Sequence, residues 1–145
     1  MSVRITHFYH YESDTTSRAS IGTTYDKTKG HSYNLLANRP QFQQNVNWRG
    51  RLEGLNIQVN TIAGGAASLT MRICSDADGD VVLVPDTTAT ISTGITTATS
   101  GSVAFKVDVP LQLPVGGPGA GTLYLFVKTD AGTVTMGSSQ LSWSE

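Results

Sequence analysis

Residues 68–85 read S-L-T-M-R-I-C-S-D-A-D-G-D-V-V-L-V-P. Leu69, Met71 and Ile73 alternate with Thr70, Arg72 and Cys74, and a second apolar run at 81–84 ends at Pro85. Alternation with a period of two puts one set of side chains on one face of a strand. Asp78-Gly79 lies between the two runs, where glycine reaches positive φ without steric cost and the Asp side chain bonds to nearby backbone. The stretch predicts a β-hairpin at the centre of an all-β domain, because comparable patterns flank it on both sides.

On the N-terminal side, residues 48–62 carry Leu55, Ile57 and Val59 on one face against Asn56, Gln58 and Asn60 on the other. Gly64-Gly65 then turns the chain, and 52–62 and 67–75 are expected to be antiparallel neighbours. On the C-terminal side, the threonine-rich stretch after Pro85 predicts a short edge strand around 89–92 and a long loop. Residues 101–113 have the cleanest alternation, with Val103, Phe105, Val107, Val109, Leu111 and Leu113 on one face; Pro110, which supplies no amide, marks an edge or a bulge. Residues 122–129 place Leu123, Leu125 and Val127 inward and Tyr124 and Phe126 outward, an aromatic pair that invites cover by another segment or subunit. A turn at Asp130-Ala131-Gly132 leads to strands at 133–136 and around Leu141 and Trp143.

Residues 1–45 are different. Val3 and Ile5 fit an opening strand, but residues 12–44 show no sustained period and hold isolated tyrosines among polar residues. They are expected to form an extended arm, with a short strand at 19–25 and a helical turn at 33–38 as local alternatives. The expected architecture is therefore all-β: an antiparallel β-sandwich, jelly-roll-like, over 46–145, with an irregular N-terminal arm over 1–45.

Composition bounds the function. The chain has 145 residues, enough for one domain with its own core, and only 14% are charged, against roughly a quarter in ordinary soluble domains. The net charge of −1 is unevenly spread: residues 1–65 carry +3 and residues 66–145 carry −4. The complementary signs suit docking of the N-terminal part on the C-terminal part of the same or a neighbouring chain. Scattered arginines without a basic cluster argue against nucleic acid. A single cysteine, Cys74, excludes an internal disulfide and fits synthesis in a reducing cytoplasm; no run is long and apolar enough for a membrane span.

Catalytic chemistry finds little to build on. The histidines His7, His10 and His31 lie in the irregular third, no G-x-S-x-G elbow exists, and acidic pairs with glycosidase character are scarce, so a non-enzymatic protein is expected. His7 and His10 with Glu12 do not converge on a metal, because residues three apart on a strand face opposite ways. Asp76, Asp78 and Asp80 are the candidate Ca²⁺ ligands, since alternate aspartates in a turn can aim oxygen atoms at one ion. Counted from Asp76, however, the EF-hand glycine and glutamate positions hold Val81 and Thr87, and a plain acidic hairpin tip is the preferred reading. No cofactor is expected apart from this candidate ion.

The segments D-A-D-G-D-V-V-L-V-P, G-T-L-Y-L-F-V-K-T-D-A-G-T-V-T and Q-L-S-W-S-E, within residues 50–145, resemble accessory β-sandwich domains of bacteriophage virion proteins and, more distantly, carbohydrate-binding modules. The phage resemblance implies a non-enzymatic, oligomeric decoration, spike, tail or connector component. It would be made in the host cytoplasm and incorporated into the virion, with its own copies and other virion proteins as partners. Val3, Ile5, Phe8, Tyr9, Tyr124 and Phe126 are the candidate docking residues. The alternative is a glycan-binding β-sandwich module, for which Trp48, Trp143, Tyr124 or exposed tyrosines would line a groove with polar partners.

Overall fold

In the computed structural model, residues 9–36, 48–113 and 121–144 are described. They form β1 (Tyr9–Asp14), β2 (Arg18–Ile21), β3 (His31–Asn34), β4 (Trp48–Ala63), β5 (Ser68–Cys74), β6 (Val82–Thr90), β7 (Gly101–Leu113), β8 (Thr122–Thr129) and β9 (Thr133–Ser144). Two antiparallel sheets face each other. The first has the order β1-β9-β4-β7, with β2 also paired to β9, and the second has the order β3-β8-β5-β6. This is the jelly-roll-like antiparallel sandwich that the alternating patterns predict.

The inward rows meet in one core. Leu52, Ile57 and Val59 of β4, Leu69, Met71 and Ile73 of β5, Leu123 and Leu125 of β8, and Leu141 and Trp143 of β9 are all 0% exposed. Each such side chain contributes about 1.5–3 kcal/mol on removal from water. Leu52 and Leu55 are both inward although three residues apart. The β4 register shifts between Leu52 and Gly54, so one extra residue is taken up in a bulge and the alternation resumes in phase.

The central hairpin is present: β5 pairs with β6, Ser75 N–H donates to Val81 O at 3.0 Å, and Gly79 sits at φ +80°. Strand β6 runs on through Pro85 to Thr90 as one element. It lies at the edge of its sheet, and its register with β5 shifts between Met71 and Ile73, opposite the segment holding Pro85, so the missing amide is tolerated.

Two expectations are corrected. β4 and β5 are not neighbours: β4 pairs with β7 and β9, whereas β5 pairs with β6 and β8. Both strands have one apolar face, and those faces bury best against each other across the core, so the turn after β4 carries the chain from one sheet to the other. Gly64 (φ +67°) and Gly65 (φ +81°) make that passage possible, and a Cβ on Gly64 would lie 2.9 Å from the Cα of Gly132. The second correction concerns residues 9–34, which supply β1, β2 and β3 rather than a long irregular arm. Ile21 (2% exposed), Tyr33 (1%) and Leu35 (0%) enter the core. Short segments that each commit only one or two apolar side chains leave no period to read.

Candidate functional site

The solvent face of the first sheet carries the most suggestive surface. Along β1, His10 and Glu12 turn inward, and the His10 ring stacks on Trp143 with centroids 4.2 Å apart. Tyr9 and Tyr11 therefore point outward, at 66% and 60% exposure. Register carries this face across the sheet: Tyr11 lies opposite Ser142 and Ser13 opposite Gln140 on β9, and these in turn lie opposite Gly54 and Asn56 on β4. Gln58 on β4 lies opposite Ser102 on β7. Beside the tyrosines is an open trough of about 270 Å³ lined by Ser13, Thr15, Asn56, Gln58, Ser102, Ser138, Ser139 and Gln140.

Gly54 keeps the row next to Tyr11 low. A Cβ there would approach Ser142 Oγ to 3.3 Å, and the Ser142 hydroxyl donates to Gly54 O at 3.2 Å. A glycine within a strand commonly marks such a close approach. Two charges near this face are engaged: Arg51 Nε bonds Asp108 Oδ1 at 2.7 Å, and Ser144 Oγ donates to Glu53 Oε1 at 2.6 Å.

On the opposite face of the sandwich, the surroundings of Phe126 are covered by the chain itself. Phe126 is 5% exposed, with the ring of Tyr25 edge-on at 6.4 Å between centroids. Arg72 and Lys128 lie over the Tyr25 ring, and its hydroxyl donates to Asp86 at 2.9 Å. Burial, then the Asp86 bond, raises the Tyr25 phenol well above its usual range. Phe126 is thus corrected from a docking residue to one buried in cis, and Tyr124 beside it is half-buried. The isolated tyrosine in a polar stretch was the sequence signal for this clamp.

Of the other expected residues, Trp143 lies in the core and is unavailable to a groove. Trp48 opens β4. Val3, Ile5 and Phe8 lie outside the described residues, as does His7. Asp76, Asp78 and Asp80 do converge, with ligand atoms within 4.8 Å of one another. Two of them have protein partners. Asp76 accepts the N–H groups of Val81 at 2.8 Å and Asp80 at 3.0 Å, which hold its carboxyl below the usual range, and Asp78 pairs with Lys27 at 3.0 Å. The hydrogen bonds give the cluster a structural task as the clasp of the hairpin tip.

Sequence reading did not foresee that Asp14, His31 and Ser139 come together. His31 Nδ1 contacts Ser139 Oγ, which also bonds the Tyr33 hydroxyl, while His31 Nε2 lies 2.7 Å from Thr16 O and 4.0 Å from Asp14 Oδ1. His31 is 3% exposed and Ser139 2%. The serine hydroxyl is turned into the core and committed to two partners, so the group braces strands across the sandwich.

No known protein family and no curated protein matches the sequence. Solved structures do resemble the fold. A xylan-binding module of class CBM15 shares 13% identity over 94% of this chain and 95% of its own, with a TM-score of 0.46. The CBM35 module of Cellvibrio japonicus Abf62 shares 9% identity over 92% of both chains, with a TM-score of 0.44. The coat protein of Tobacco streak virus shares 14% identity over 94% of this chain and 85% of its own, with a TM-score of 0.38. At such identities the likeness is one of β-sandwich fold alone.

Proposed function

We propose that this chain is a non-catalytic β-sandwich module that binds carbohydrate on the solvent face of the first sheet. The observation that carries this reading is the pair Tyr9 and Tyr11, exposed side by side next to a trough of carboxamides and hydroxyls. A sugar ring has an apolar face that packs on an aromatic ring, and an equatorial rim of hydroxyls that donate and accept hydrogen bonds. The tyrosines supply the first surface and the trough the second, on strands whose rigidity limits the entropy lost on binding. The test is electrophoresis in native gels containing soluble polysaccharides. Retardation by at least one polymer, abolished in a Tyr9→Ala/Tyr11→Ala double variant with an unchanged melting midpoint, supports the reading. Unchanged mobility in every polymer defeats it.

A second reading, an oligomeric subunit of a bacteriophage capsid or tail, is favoured by the position of the same tyrosines on β1. Among the described residues β1 stands at one end of the order of its sheet, and Tyr9 and Tyr11 there present exposed aromatic surface of the kind that subunit interfaces bury. Sedimentation velocity separates the two readings: a concentration-independent monomer argues against assembly, and a closed oligomer dissociated by the double tyrosine change argues for it.

A further inference from the structure

Resting on the carbohydrate reading, we infer that the ligand class is an uncharged glycan, selected by the three carboxamides of Asn56, Gln58 and Gln140. Among the described residues, the trough lining contains no charged side chain. Lys106, exposed on β7 opposite Gly54, lies outside that lining, and Arg51 is held by Asp108. A carboxylated or sulfated sugar entering the trough would give up hydration of a full charge and find no cation there to replace it.

What the trough does offer is matched to hydroxyls. A carboxamide presents a donor and an acceptor side by side, as a sugar hydroxyl does, whereas a carboxylate or sulfate group is acceptor-only and could use just half of each amide. Gln140 and Asn56 are directly cross-strand, so their amides form one row with Ser13, and Gln58 with Ser102 forms the next. The Ser138 hydroxyl donates to Gln58 Oε1 at 3.2 Å, which fixes that amide with its NH₂ group available to a ligand oxygen. All three side chains alternate with buried core residues, so the backbone that carries them is held by the sandwich itself.

The experiment pairs a charge panel with substitutions in the full chain. Binding is measured by gel retardation and calorimetry against neutral polymers (hydroxyethylcellulose, mixed-linkage glucan, arabinoxylan, galactomannan, dextran) and acidic ones (polygalacturonate, alginate, heparin). The salt range runs from about 50 to about 500 mM, over which screening separates charge-driven from neutral binding. The expected result is binding to a neutral polymer that changes less than about twofold with salt, and is weakened about tenfold or more by Asn56→Ala/Gln140→Ala with the melting midpoint retained. Asn56→Asp/Gln140→Glu, nearly isosteric but acceptor-only, should lose binding to the same degree. Binding to acidic polymers that fades with salt overturns the uncharged class and leaves the carbohydrate reading standing. Neutral binding that survives both double changes overturns the role of the carboxamides. Absence of binding to every polymer overturns both this inference and the carbohydrate reading.

Discussion

His31 Nδ1 lies 2.5 Å from Ser139 Oγ, and this contact fixes the direction of a buried hydrogen-bond chain. Thr16 O can only accept, so His31 Nε2 must carry a proton; in the neutral ring Nδ1 is then an acceptor, Ser139 donates to it, and Tyr33 donates to Ser139. Protonating Nδ1 reverses the Ser139 bond: the hydroxyl then accepts from His31, and its own proton must leave that position.

That chain makes folding stability depend on pH. Burial lowers the His31 pKa from its ordinary 6.5, outweighing the Thr16 bond and the nearby Asp14 carboxylate, which raise it; Arg18 lowers it further. The folded state therefore favours neutral histidine, and the unfolded chain binds more protons between the two pKa values. Stability should be full above about pH 6.5 and fall as the pH drops below it, by at most about 1.4 kcal/mol per pH unit from this one group. Urea midpoints measured from pH 8 to 5 check it. A His31→Asn variant should be less stable at neutral pH and show a flatter profile through that window; a wild-type midpoint that rises as the pH falls would contradict the assignment.

Phe105, on β7 and 4% exposed, packs in the single core with Val103, Val107 and Ile57. Phe105→Ala should cost about 3–5 kcal/mol, read as a lower denaturant midpoint with unchanged slope. A midpoint within error of the wild type would remove β7 from the core.

Deleting residues 1–45 should leave a chain that unfolds or aggregates. The deletion removes Ile21, Tyr33 and Leu35 from the core and strips β9 of two partners and β8 of one. A soluble, cooperatively melting truncated monomer would restore the view of this segment as a separable arm.

The acidic turn should be indifferent to calcium. Asp76 already accepts two backbone N–H groups and Asp78 holds Lys27, so melting curves with chelator and with excess Ca²⁺ should coincide. Binding to the folded state alone would raise the midpoint with ion concentration, and such a rise would establish the site. Because backbone N–H groups lower the Asp76 pKa, its contribution should be present above the usual carboxylate range and be lost in acid.

The sequence was most informative where one residue in two faces the core. The rows of β4, β5, β7 and β8 could be read directly, as could the tip at Gly79. Sheet membership could not, because alternation states which face is apolar and not which strand lies alongside; the error over β4 and β5 has that origin. The strands before residue 35 escaped because each buries so little. For the candidate site, exposed tyrosines were among the expected features, but the trough beside them joins Ser13, Asn56, Ser102 and Gln140, which only cross-strand register brings together. Trp143 misled in the opposite direction: the indole that suggested a sugar platform belongs to the core.

Strand β9, spanning Thr133–Ser144, lies between β4 on one side and β1 and β2 on the other. The strand at the middle of the first sheet is thus synthesised after all of its partners. During translation β1, β2 and one edge of β4 have apolar surface and open backbone but no neighbour to accept them, and the sheet cannot close until residue 144 has left the ribosome. The interval during which unfinished edges are exposed is set by the rate of synthesis, making the nascent chain, rather than the finished protein, the form most vulnerable to aggregation.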